Sequence, residues 1–128
     1  MVKVCLLALF CLCTVVTDVQ MLVGGQVYSK PNSTVTISLP QVANYRREIY
    51  NNNDAYDEHI YRVCNGKNKK TCGYWENVKT KKKVPSGVTT YNKNKQALVI
   101  KKIRVSDFGK YMTGDKKTTR TVVNAPWL

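Results

Sequence analysis

The chain is short of the groups that catalysis and metal binding draw on. Among 128 residues there is one histidine, and eight acidic residues stand against 21 lysines and arginines. Beyond the first 16 positions no long apolar run occurs. The lone histidine, His59, follows Glu58 with no glycine-rich or nucleophile-elbow context around it, so a nucleophile with its base has no obvious seat. Asp54, Asp57 and Glu58 form the one acidic cluster, and their spacing fits no calcium loop. The expectation is a protein that is not an enzyme and holds no metal or other cofactor. Helical periodicity is missing too, since no stretch sustains it for three turns.

What the N-terminus does contain is Lys3 followed by the apolar run Val4 to Val16, too short for a span of about 20 residues and suited to the core of a signal peptide. Residues 1–20 are therefore expected to be a cleaved leader, with the cut somewhere from 17 to 25, and the alternative is a buried N-terminal strand. A leader implies a secreted, extracellular product, and the lack of a second apolar run predicts no transmembrane anchor. Cleavage would remove Cys5, Cys11 and Cys13 and leave Cys64 and Cys72, an even pair that predicts one disulfide. The seven residues between them (NGKNKKT) suit a turn with the cysteines on facing strands. A zinc site there would need ligands beyond His59. Asn32-Ser33-Thr34 is a glycosylation sequon in a proline-led turn, which makes Asn32 the expected glycan site.

Short strand-like runs with turn signals fill the rest. Gln26 to Lys30, Thr34 to Leu39, His59 to Cys64, Cys72 to Val78, Val88 to Tyr91 and Thr118 to Val123 all read as strands. Gln41 to Asp57 reads as a long irregular connection rich in Asn and Tyr. The fold class predicted is all-β, with eight or nine strands in one domain over residues 26–125.

The most specific stretch is Leu98 to Tyr111 (LVIKKIRVSDFGKY), a strand, a tight corner and a second strand. Its spacing, L-x-I-x-x-I-x-x-x-D-x-G-x-Y, resembles the E to F region of immunoglobulin-like domains. That resemblance implies a β-sandwich in which Asp107, Gly109 and Tyr111 form a tyrosine corner, the Tyr hydroxyl bonding back to upstream backbone. The family's inter-sheet cysteines are absent, Thr113 standing at one position and Ile37 or Leu39 at the other. Val63-Cys64 and Cys72 resemble the extra hairpin disulfide of variable-type domains of the polymeric immunoglobulin receptor and related leukocyte receptors. With Val63 inward, that bridge would lie on the outer face of its sheet.

An immunoglobulin-like fold without catalytic groups implies work by binding, with an extracellular or cell-surface protein as the expected partner. Tyr45, Arg46, Arg47, Tyr50 and Tyr56 are contact candidates, because exposed Tyr and Arg offer much area with few torsions to freeze; alternatively, one or two of these rings close over the end of the core. The formal charge of +13 survives loss of the leader, since Lys3 and Asp18 cancel. It gathers at Lys67, Lys69 and Lys70, and again at Lys81, Lys82 and Lys83, clusters that point to sulfated glycans as a further partner and away from nucleic acid, the aromatic interleaving of a strand binder being absent. Two other readings of the lysines stand beside this one: protection of sheet edges, or a cationic host-defence effector acting on anionic glycans or membranes. Either Tyr74 or Trp75 faces outward, where it offers a ring for self-association.

Overall fold

The computed structural model describes residues 20–128. Among these residues eleven strands and one 3-10 turn build two sheets. In spatial order the larger sheet holds β1 (Gln20–Val23), β2 (Gln26–Ser29), β11 (Thr119–Asn124), β10 (Gly109–Thr113), β4 (Asn44–Tyr50), β5 (Tyr56–Arg62), β6 (Trp75–Asn77) and β7 (Lys83–Val84). The smaller holds β3 (Val35–Ser38), β9 (Ala97–Lys101) and β8 (Val88–Asn92). Neighbours pair antiparallel except β2 and β11, which run parallel with Val27 opposite Val122.

Alternation explains which face each strand buries. In β3, Val35 and Ile37 are fully buried while Thr36 and Ser38 turn away. These two meet Leu98 and Ile100 of β9 and, from the larger sheet, Val27, Tyr45, Tyr61, Trp75, Tyr111 and Val122, forming one apolar core between the layers. Burial of that surface, at roughly 25 cal/mol per Å², is what orders the sheets. Where the resemblance would put an inter-sheet disulfide, Ile37, Leu39 and Thr113 are all buried side chains. Tyr61 Oη donates to the Thr89 carbonyl at 2.7 Å and Trp75 Nε1 donates to Thr89 Oγ1 at 2.9 Å, so polar bonds also join the layers.

Two expectations from the sequence differ from the structure. Gln41 to Asp57 is no long connection: it holds the seven residues of β4, all paired with β5 and four of them, Tyr45 to Glu48, also with β10, and only a short turn at 51–55 separates β4 from β5. Beyond β6, Lys83–Val84 form a short edge strand paired with it. Cys64 and Cys72 do form a disulfide, with Cα atoms 5.0 Å apart. They close a loop between β5 and β6, however, and neither lies on a strand. The expected leader lies outside the described residues but for Gln20, which opens β1 and pairs its side-chain amide with the backbone of Thr36.

Candidate functional site

The inner face of the larger sheet carries two contrasting rows. One runs Thr113, Tyr45, Tyr61, Trp75 across β10, β4, β5 and β6; the next, one pleat along, runs Tyr111, Arg47, His59, Asn77. Three of the four residues in the first are aromatic. The second places a guanidinium inside the protein, with Arg47 fully buried.

A buried charge is costly unless paired and hydrogen-bonded. Arg47 Nη1 donates to Asp107 Oδ1 at 2.9 Å and to Tyr111 Oη at 2.9 Å, and Nε donates to His59 Nδ1 at 2.9 Å. Its carbon lies 4.3 Å from the centre of the Trp75 ring, a cation–π contact that shelters Nη2, the one described buried side-chain nitrogen or oxygen without a hydrogen bond. Asp107 is saturated in turn: Oδ1 also accepts from Ser86 Oγ at 2.7 Å, and Oδ2 accepts from the backbone nitrogens of Gly87 and Arg104 at 2.9 and 2.8 Å. Tyr111 Oη donates to the Asp107 carbonyl at 2.5 Å, the upstream backbone bond implied for a tyrosine corner. Burial pushes the Tyr111 hydroxyl up to about 12, so it keeps its proton and donates while accepting from Arg47. Gly109 is required by close packing: a Cβ there would meet the Glu48 carbonyl oxygen at 2.4 Å.

His59 is held neutral. Burial first, and the charge of Arg47 second, lower its pKa to about 4. Because arginine only donates, Nδ1 must accept, and the imidazole proton sits on Nε2.

The outer face of the same strands is a charge lattice in water. Arg46 pairs with Glu58, which also takes Lys116 Nζ at 3.3 Å, and Arg62 pairs with Glu76 at 2.9 Å. Partial burial raises the Glu58 carboxyl, but the hydrogen bonds and charges of Arg46 and Lys116 outweigh it and leave it below the usual range.

The proposed contact residues scatter over this frame. Tyr45 and Arg47 are corrections, both being fully buried and unable to touch a partner. Tyr45 instead closes over the core, stacked on Tyr91 at 5.7 Å with its hydroxyl donated to the Pro40 carbonyl. Arg46 is half-exposed on the outer face, while Tyr50 and Tyr56 are exposed and pack edge to face at 5.4 Å beside the 51–55 turn. Lys67, Lys69 and Lys70 lie exposed in the β5–β6 loop. Lys81 and Lys82 lie in the turn after β6, and Lys83 is on β7 with Nζ 5.2 Å from the Tyr74 ring centre. The two lysine groups thus leave opposite ends of β6. Asn32 is exposed, in a turn whose backbone bonds to Ile103. Trp75 is the inward ring of its pair and Tyr74 is half-buried.

Sequence reading missed Ser86, Thr89 and the partnership of Arg47 with His59 and Asp107. Only one signal pointed there: Tyr45, Arg47 and Ile49 share a parity within NYRREIY, a strand pattern disguised by the charge at its centre. Compared with protein-family models, curated proteins and solved structures, the chain matches none of them.

Proposed function

We propose that the chain is a secreted immunoglobulin-like domain of variable type that binds an extracellular or cell-surface partner and performs no catalysis. The strand order carries this reading. A sheet of β3, β9 and β8 facing one of β11, β10, β4, β5 and β6, with β2 laid parallel beside β11, has the layering of a sandwich widened by two extra strands, and the Tyr111 bond to the 107 carbonyl fits its corner. In such domains the binding loops gather at one end. Here the β3–β4, β5–β6 and β10–β11 connections touch, Val63 N bonding to the Ala43 carbonyl at 3.0 Å and Gly114 N to that of Asn44 at 3.0 Å. Lys67, Lys69, Lys70, Lys116 and Lys117 crown that end, which favours a partner with an acidic surface. The mass of positive charge supports one second reading, a cationic effector that acts on anionic glycans or membranes.

The test is expression of the full chain in secreting cultured cells. Protein in the medium whose N-terminus falls between Asp18 and Gln26 is expected; retention inside the cell with residues 1–20 attached would overturn secretion. The secreted protein is then bound to a panel of cells, alongside a variant with those five lysines changed to Ser. Binding that weakens in the variant yet survives roughly threefold higher salt supports a shaped interface. Binding that collapses with salt and is competed by soluble heparin favours the second reading.

A further inference from the structure

At the end of the two-layer fold away from those loops, a cavity of about 840 Å³ opens between β4, β5 and β6 on one side and the segment around the 3-10 turn Val105–Asp107 on the other. Its volume is in the range of small-molecule sites. His59 lies in its lining and is only 5 % exposed. The imidazole spends Nδ1 on Arg47, and Nε2 has no hydrogen bond among the described residues. Nor is Nε2 sealed away, since Arg47 Nη2 is the one sealed, unpartnered side-chain polar atom among the described residues. The Nε2–H therefore opens on the cavity as a fixed, uncharged donor, with its tautomer set by an arginine that cannot accept.

Two further polar groups border the same space. Asp57 uses Oδ1 to accept from Asn51 Nδ2 at 2.9 Å and leaves Oδ2 without a hydrogen bond among the described residues. Asn77 spends Oδ1 on the backbone nitrogens of Lys79 and Thr80, leaving its NH2 group to donate. Between them, Ile49, Val84 and Phe108 give an apolar wall, and the exposed ring of Tyr50 stands at the mouth. The charges of Asp57 and Arg104, both in the lining, are opposite in sign, so no net field selects an ion.

We propose that this cavity binds a neutral sugar ring. A pyranose offers what the lining lacks. Its ring oxygen or a hydroxyl accepts from His59 Nε2, neighbouring hydroxyls donate to Asp57 Oδ2 and accept from the Asn77 amide, and its C–H face covers Phe108 or Tyr50. A purely apolar ligand would cover the His59, Asp57 and Asn77 groups and leave them without partners, which disfavours it. The site does not depend on the immunoglobulin-like reading, because it stands on the cavity alone.

One histidine in the chain makes the test direct, for a single imidazole spin system reports on the site without assignment. Long-range 1H–15N spectra of the full chain should show the Nε2–H tautomer at neutral pH. Titration with methyl glucoside, methyl galactoside and methyl mannoside should shift Nε2 saturably for at least one of them. Val105 lines the mouth and is 67 % exposed, so Val105→Trp should fold normally and, by filling the opening, weaken that binding at least about tenfold. An Nδ1–H tautomer, no saturable shift with any glycoside, a shift unaltered in Val105→Trp, or a stronger response to sodium sulfate than to the glycosides would each overturn the proposal.

Discussion

Arg46 and Arg47 are adjacent in the chain and face opposite sides of β4, and the protein treats them as different chemistry. Arg47 is fully buried, its carboxylate partner Asp107 equally so, and every oxygen of that partner is occupied. Arg46 meets Glu58 with about a quarter of each side chain still in water. Coulomb attraction is stronger on the inner face because the surroundings screen less, but so is the penalty for breaking the pair. The lesson is one of dependence. The outer pair can be lost because water replaces it, whereas the inner pair holds β4, β10 and the corner at 105–107 in one register, and no second carboxylate pairs with Arg47 among the described residues.

The comparison breaks most sharply at Asp107. Asp107→Ala strands the guanidinium and frees the backbone nitrogens of Gly87 and Arg104, so urea unfolding should show a loss of about 3–5 kcal/mol or no folded protein at all. Adding Arg47→Met to that variant removes the stranded charge and should recover part of the loss. A double variant no more stable than Asp107→Ala would mean that the inner charge is not the source of the cost.

A smaller effect follows from His59, whose ring faces Arg47, Asp57 and Asp107. The unfolded chain takes up the imidazole proton near pH 6.5, whereas the native protein takes it up only near 4. Protonation therefore favours the unfolded state. The stabilisation from neutral His59 is complete above about pH 6.5 and is lost as pH falls toward 4. Urea midpoints should drop between about pH 7 and pH 4.5 by more in the wild type than in His59→Gln, which keeps an acceptor for Arg47 Nε and does not titrate. Equal drops in both proteins would remove His59 from the account.

The smallest effect belongs outside. Glu58→Gln breaks the pairs to Arg46 and Lys116 where water has access, and should cost no more than about 1 kcal/mol, with the difference shrinking further as salt is raised. A loss comparable to that of Asp107→Ala would abolish the contrast between the two faces.

Much of the architecture was legible before any coordinates. Val35 and Ile37 alternate with Thr36 and Ser38, which turn away, and a period of two fixes which face meets the core. The corner at Asp107 to Tyr111 was readable as well, because few residue types satisfy a close backbone approach at Gly109 and a hydroxyl reaching back to the 107 carbonyl. β4 was not legible. Its inward positions are Tyr45, Arg47 and Ile49, and a charged residue at an inward position reads as solvent-exposed until its partner is known. That partner lies 60 positions away. The candidate cavity was hidden for the same reason: His59, Asp57, Asn77 and Phe108 are ordinary polar and apolar residues when read in line.

By itself, then, the sequence determined the all-β character, the one disulfide among the described residues and the corner that turns β9 into β10, since each depends on residues close together in the chain. The tertiary structure alone decided which of two neighbouring arginines is buried, which ring of Tyr74 and Trp75 faces the core, and which ends of the sheets carry the lysines and the cavity. These outcomes depend on pairing between strands far apart in sequence, where the energy of a charge or a ring is set by what the opposite strand and the opposite sheet bring to it.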